Sequence, residues 1–309
     1  MVKQKAPRNK TIELSPREVS AYAKQAVKLK QKTSINELEN KIIFQDSFKA
    51  LKYIPDNSVD LIVVDPPYNL TKIFGTTKFK ECGLDDYKKW FSQWLKQCYR
   101  ILKQNGTIYI CSDWKTSIAI PEIACKYFTL QNRISWEREK GRGAKNNWKN
   151  CLEDIWFFTK SNEYTFNLDS VKVQRNVLAP YRDTNGKPKD WVENGDAKLR
   201  YTYPSNIWTD ISIPFWSMPE NTSHPTQKPE KLIAKLILAS SNEEDIVFDP
   251  FLGSGTTAVT AKKLNRKFLG IEREKEYVAL GLKRLEMAEQ NKRIQGFEGG
   301  IFKIRNSQV

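Results

Sequence analysis

The chain of 309 residues predicts an α/β fold, a mostly parallel sheet with helices on both faces and a smaller inserted region. Three observations carry this. From Lys41 onward, apolar runs of strand length alternate with segments whose apolar residues recur at helical spacing, the rhythm of strand-helix-strand units. The run Leu61 to Val64 is apolar without a break, as a strand covered on both faces requires. The alternation stops between Ser161 and Ser223 and then resumes.

Residues 1–40 are rich in Lys and Gln, poor in large apolar side chains, and read as a basic N-terminal arm. Within it, Ser15-Pro16-Arg17-Glu18 carries the signature of a helix start, with proline at the first helical position. Residues 41–160 form the first half of the core. There KIIFQD predicts a short strand, SFKALKYI a helix begun by Ser47, and VDLIVVD a second strand. DDYKKWFSQWLKQCYRIL places Trp90, Trp94, Cys98 and Ile101 at helical spacing. GTIYICSDW predicts a strand, SIAIPEIACKYF a helix, and NRISWERE with DIWFFTK an antiparallel pair at one edge. Residues 161–223 show no sustained period and read as a small inserted region, since so long a structureless run is foreign to a compact domain. Residues 224–309 complete the core: PEKLIAKLILASS is a helix, DIVFDPF a strand, a glycine turn leads to a helix over Thr257 to Lys263, and KFLGIE is a strand. A long last helix runs through Arg284 into a tail.

Composition narrows the function. Lys and Arg total 51 against 36 Asp and Glu, a formal charge of +15, which points to an anionic partner and first to nucleic acid. No stretch approaches the ~20 apolar residues of a membrane span. The opening residues lack the apolar segment of a secretory leader, so a cytoplasmic location is expected. Five scattered cysteines form no CxxC pair and read as free thiols in a reducing compartment. His224 is the sole histidine, which argues against His-based metal sites and Ser-His-Asp triads; no metal is expected.

DIVFDPFLGSGTTAVTAKKL places Gly253-x-Gly255-x-x-Ala258 directly after a strand and at the start of a helix. In that context the glycines allow a tight turn and close backbone approach, so an adenosine-bearing ligand can lie near the helix N-terminus. Glu272 ends the following strand, where a carboxylate can accept both ribose hydroxyls. Taken alone, this loop suits NAD as well as other nucleoside cofactors.

The second signal is Asp65-Pro66-Pro67-Tyr68, directly after the buried strand. An exocyclic amine on a heterocycle is a poor nucleophile because its lone pair is delocalised into the ring. The Asp65 carboxylate and the Pro66 carbonyl can accept both of its N–H bonds, drawing the nitrogen toward tetrahedral geometry. Consecutive prolines, Pro66 and Pro67, hold that carbonyl rigid, and Tyr68 offers a face on which a flipped-out base can stack. The motif reads as a clamp for an amino group.

These residues resemble the amino-group DNA methyltransferases that use S-adenosylmethionine, with DPPYN at Asp65, HPTQKP at His224, DPFLGSGTT at Asp249 and GIE at Gly270. The motif order, catalytic motif first and cofactor loop last, is similar to the beta-class arrangement and covers about Lys41 to Leu285. The resemblance implies a circularly permuted Rossmann-like methyltransferase sheet of seven strands, base flipping, and target recognition by residues 161–223. It implies Asp65, Pro66, Pro67 and Tyr68 as the catalytic clamp. Asp249, Phe251, Gly253, Gly255 and Thr256 would line the cofactor pocket, with Glu272 on the ribose and Asp46 at the adenine. His224 and Lys228 would close over the methionine end. Where family members often carry a His-Glu pair, this chain reads Cys151-Leu152-Glu153, so no role is carried to Cys151.

Aspartate at the first clamp position goes mostly with adenine in that family, so adenine N6 in double-stranded DNA is the expected target. Cytosine N4 is the alternative, and an NAD-dependent oxidoreductase the rival from another class. The resemblance makes a homodimer and a separately acting restriction endonuclease candidate partners. Arg175, Arg182, Lys187, Lys189 and Arg200 are interleaved with Tyr181, Trp191, Tyr201, Tyr203, Trp208 and Trp216; the basic side chains are expected to meet phosphates and guanine edges, and the aromatics to pack the insert or stack on bases. The basic loop Glu139 to Asn150 is expected to enter a groove or to order on binding DNA.

Overall fold

The computed structural model describes residues 6–138, 145–177, 181–194 and 197–303. The first half of the basic loop, residues 139–144, therefore lies outside the described residues.

The central sheet contains β1 (Lys41–Phe44), β2 (Val59–Val64), β3 (Leu102–Asp113), β4 (Thr129–Glu137), β5 (Leu152–Thr159), β6 (Ile207–Trp208), β7 (Ile246–Asp249) and β8 (Lys267–Glu272). Their spatial order is β1-β8-β7-β2-β3-β5-β4-β6. From β1 to β3 every pairing is parallel, whereas β5 pairs antiparallel with both β3 and β4. Seven strands match the expectation; the two-residue β6, contributed by the insert, adds an eighth beside β4. None of the described helices is long and apolar enough to cross a membrane.

Strand β2 explains its own apolar run. Ile62 and Val64 face one core layer with the helix Leu84–Ile101, while Leu61 and Val63 face the other with the helix Glu230–Ser240. All four are buried, so both faces of the strand are covered. The Leu84–Ile101 helix buries Tyr87, Phe91, Trp94, Leu95, Cys98 and Ile101, one stripe at helical spacing, and carries Asp85 and Asp86 in its first turn.

Several boundaries differ from the sequence reading for local reasons. The segment SIAIPEIACKYF (117–128) is α-helical only over Ile120–Ala124, with Pro121 in its first turn, and a separate short helix, Trp114–Ser117, leads into it. The helix after β1 spans only Ser47–Ala50 before a tighter 3₁₀ turn, Leu51–Tyr53, and its cap is Asp46 rather than Ser47. The last long helix, Lys275–Gln290, extends past Arg284.

The insert is not structureless. A second sheet orders its strands as Phe297–Glu298, Ile301–Lys303, Val173–Asn176, Ala197–Thr202 and Val192–Asn194. The tail strand Ile301–Lys303 runs parallel to Val173–Asn176, so the end of the chain completes the sheet of the insert. Lys231 and Lys235, both buried on the Glu230–Ser240 helix, fasten this region by ion pairs to Asp210 at 2.9 and 3.1 Å. Lys231 also donates to the Lys303 carbonyl at 2.6 Å. The N-terminal arm is likewise fastened: Ile12 bridges Thr222, and the capped helix Pro16–Ala23 packs on the last long helix through Tyr22 and Glu286.

Candidate active site

Strands β2 and β7 lie side by side and parallel, and the chain order reverses between them. Ligands of open α/β sheets collect at the carboxyl ends of strands at such a switch point. A cavity of about 770 Å³ opens there. It is walled by the residues after β2 (Asp65 to Tyr68), after β1 (Asp46 and Ser47), at and after β7 (Asp249, Phe251 and Gly253) and at the end of β8 (Glu272). His224, Lys228 and Thr256 also line it. Of the clamp and cofactor residues expected from the sequence, Gly255 alone does not. It lies beneath the loop, where an added Cβ would come within 2.7 Å of the Gly281 Cα.

At the β2 end, Tyr68 donates its hydroxyl to Asp65 Oδ1 at 2.7 Å. Lys228 Nζ donates to Asp65 Oδ2 at 2.6 Å and to the Tyr68 oxygen at 3.1 Å, and pairs with Glu153 Oε2 at 3.1 Å. Arg138 closes the group on the far side, 2.7 Å from Glu153 Oε1. Burial, then the charges of Asp65 and Glu153, push the Tyr68 hydroxyl well above its ordinary value, so it stays a donor. Burial by itself would lower Lys228, but the two carboxylates outweigh it and hold the ammonium above the usual lysine range. The prolines are set by Tyr87, whose hydroxyl donates to the Pro67 carbonyl at 3.0 Å. Lys228 was grouped with the cofactor residues on the sequence; its ammonium sits instead on the Asp65 carboxylate.

At the β7 end, the glycine loop is shaped by carboxylates. Asp249 accepts from the Phe251 N–H at 2.9 Å and from the Thr257 hydroxyl at 2.7 Å. Glu272 accepts three main-chain N–H groups, from Gly253 at 2.8 Å, Arg273 at 2.8 Å and Glu274 at 2.7 Å. A carboxylate has about four lone-pair directions, so one is left for a ribose hydroxyl where the sequence suggested two. Burial pushes both Asp249 and Glu272 up to about 7. His224 is lowered to about 4 by burial and is therefore neutral near pH 7. Its Nδ1 accepts from the Thr226 N–H at 3.3 Å, which assigns the ring proton to Nε2, facing the glycine loop.

Beside this loop stand four aromatic rings that line the cavity, Phe48, Phe79, Trp90 and Phe251. Trp90 lies 5.4 to 6.0 Å from the other three, ring centre to ring centre. A hairpin, Lys72–Phe74 with Thr77–Phe79, covers the slot and is clasped by Glu274, which accepts from the Thr76 N–H at 2.8 Å and the Thr77 hydroxyl at 2.5 Å. Tyr277 takes the Gly75 N–H at 3.0 Å. An aromatic slot, a carboxylate with one open direction and a bare glycine backbone 3.0 Å (Cβ position) from His224 Nε2 are the fittings an adenosyl ligand needs. The residues present fit S-adenosylmethionine.

Sequence reasoning missed Glu153, Arg138, Trp90 and the hairpin. A buried carboxylate at the start of β5, beside the quoted Cys151-Leu152-Glu153, was the one available signal for Glu153.

The glycine loop and the Asp65 to Tyr68 segment, side by side on one edge of a permuted parallel sheet, are the features of a Rossmann-like methyltransferase. A family model described as DNA methylase matches residues 59–283. The chain is 39% identical over 254 residues to the type II methyltransferase M.HpaI of Haemophilus parainfluenzae, covering 81% of this chain and 75% of the relative. It is 38% identical over 256 residues to the DNA adenine methyltransferase YhdJ of Escherichia coli, covering 80% and 83%. Among solved structures, PvuII DNA methyltransferase (cytosine-N4-specific) superposes with a TM-score of 0.60 at 19% identity, covering 84% of this chain and 92% of that one. The chain belongs to the DNA methylase family. The oxidoreductase reading of the glycine loop falls with that membership.

Proposed function

We propose that this enzyme transfers a methyl group from S-adenosylmethionine to adenine N6 at a specific site in double-stranded DNA, acting on a base flipped out of the helix. The observation that carries the reading is the Asp65 carboxylate with the adjacent Pro66 carbonyl, both lining the cavity that the glycine loop also lines. Among the described residues no donor engages the Pro66 carbonyl, so it is free to accept. S-adenosylmethionine supplies an electrophilic methyl group on a sulfonium. Asp65 and Pro66 accept the two amine N–H bonds, which frees the nitrogen lone pair to attack along the axis of the cavity. The new N–C bond forms as the S–C bond breaks, its electron pair staying on sulfur, and the amine then sheds one proton toward the Asp65 carboxylate. Tyr68 walls the base pocket, and Glu272 with the aromatic slot holds the adenosyl end.

Adenine is supported by aspartate at the first clamp position and by the relation to YhdJ over most of its length. The type II name of M.HpaI supports a place in a restriction–modification pair, with a separate endonuclease, in the cytoplasm where the genome lies. The insert, residues 161–223, reads the target sequence with its basic and aromatic side chains. Single-molecule sequencing of DNA from cells expressing the gene tests all of this at once. Methyl-adenine at one short motif is expected; methyl-cytosine would keep the clamp and replace the base, and unmodified DNA would overturn the reading.

Glu272→Ala should weaken cofactor binding by about 30-fold, because three main-chain N–H groups lose their acceptor at a cost of about 2 kcal/mol. DNA affinity should stay within about threefold, since the carboxylate is tied to the loop and not to the basic surface. Calorimetric titration of each ligand checks this; the reverse pattern would remove Glu272 from the cofactor end.

A further inference from the structure

Lys228 is buried, with 7% of its side chain exposed, and its ammonium has three acceptors within reach: Asp65 Oδ2, Glu153 Oε2 and the Tyr68 oxygen. An ammonium has three hydrogens to donate, so none is left over for a cofactor carboxylate. We propose that Lys228 is the positioning residue of the catalytic carboxylate, its ammonium fixed between Asp65 and Glu153 so that Asp65 meets the substrate amine in one orientation. This rests on the reading of Asp65 as the amine acceptor.

The geometry supports a positioning role in three ways. Asp65 receives one donor on each oxygen, Tyr68 on Oδ1 and Lys228 on Oδ2, which fixes the plane of the carboxylate. Each oxygen keeps a further lone pair for the incoming N–H. Glu153 is the opposite anchor, itself held by Arg138 at 2.7 Å, so the ammonium cannot follow Asp65 if the aspartate rotates.

Other charged or titratable groups face the same carboxylate. Lys72 approaches from the hairpin and His224 from the segment that carries Lys228. Cys111 on β3 and Asp249 on β7 lie on the sheet side, and burial keeps the Cys111 thiol un-ionised. None of these is within ion-pair distance of Asp65 among the described residues, which leaves Lys228 as its direct counter-ion.

The test uses the full chain with Lys228→Met, Lys228→Arg and Glu153→Gln, measuring single-turnover methyl transfer and the affinities for cofactor and DNA. Lys228→Met should lower the rate by about 100-fold while both affinities stay within about threefold. Lys228→Arg keeps the charge with the wrong donor fork, so it should lose rate by only about tenfold; it also serves should the methionine variant fail to fold. Glu153→Gln should cost about tenfold, and the double variant with Lys228→Met no more than Lys228→Met alone, as expected of two residues acting along one path. A Lys228→Met or Lys228→Arg enzyme with the wild-type rate, or a loss that falls on cofactor affinity instead, would overturn the proposal. A wild-type enzyme that methylates no DNA would instead overturn the function on which it rests.

Discussion

Asp65→Ala is expected to lower the single-turnover rate of methyl transfer by about 10³-fold, with cofactor affinity unchanged within about threefold. The size follows from where the carboxylate acts. It sits at the base end of the cavity and touches no residue of the glycine loop, so its loss leaves the cofactor cradle intact. Tyr68 and Lys228 keep Glu153 as a partner at 3.3 and 3.1 Å, so no buried cation is stranded and the fold should survive. Rapid-quench transfer to a DNA duplex, beside calorimetric titration of the cofactor, separates the two effects. A variant that turns over at the wild-type rate would take Asp65 out of the chemistry.

Gly255→Ala acts at the other end and by other means. Gly255 has a φ of +87° and caps the Thr256–Lys263 helix, a conformation that costs an L-residue about 1–2 kcal/mol. Its Cβ would also lie 2.7 Å from the Gly281 Cα, a backbone atom of the last long helix that no rotamer change can move. The two helices must part, and the loop that carries Gly253 shifts with them. Cofactor affinity should fall at least about tenfold and the melting temperature by about 5 °C, taking some 2 kcal/mol at 2–4 °C each for a chain of this size class. Differential scanning calorimetry and cofactor titration read the result; unchanged melting and affinity would mean that the helix pair yields more easily than its packing implies.

The parts of the enzyme legible in sequence are those whose chemistry is local. Val59 to Tyr68 carries a strand and its clamp in ten consecutive residues, and Asp249 to Thr256 carries a strand end, a turn and a helix start. The partners of Asp65 were not legible because the fold brings them from afar: Lys228 is 163 residues away, and Glu153 and Arg138 meet only through the antiparallel pairing of β4 and β5. The strands of the insert escaped notice because they are short, and Arg175 and Asn176 of Val173–Asn176 face solvent, so no period develops. Two of the five strands of that sheet, Phe297–Glu298 and Ile301–Lys303, also lie in the tail, more than a hundred residues downstream of Val173–Asn176. The covering hairpin has three-residue strands held by Glu274 and Tyr277, contacts that leave no periodic trace.

The closure of the insert's sheet by the tail bears on how specificities can be exchanged between relatives. Residues 161–223, proposed above to read the target, have the outline of a cassette, yet Val173–Asn176 has its parallel neighbour in Ile301–Lys303, and Ile12 bridges Thr222 from the arm. Transplanting the cassette alone would leave a raw sheet edge in the donor piece and an unmatched tail in the recipient. A viable chimera must exchange three separated stretches together. On the proposed role of the insert, new target sequences are therefore expected more readily from point changes within it than from recombination at its borders.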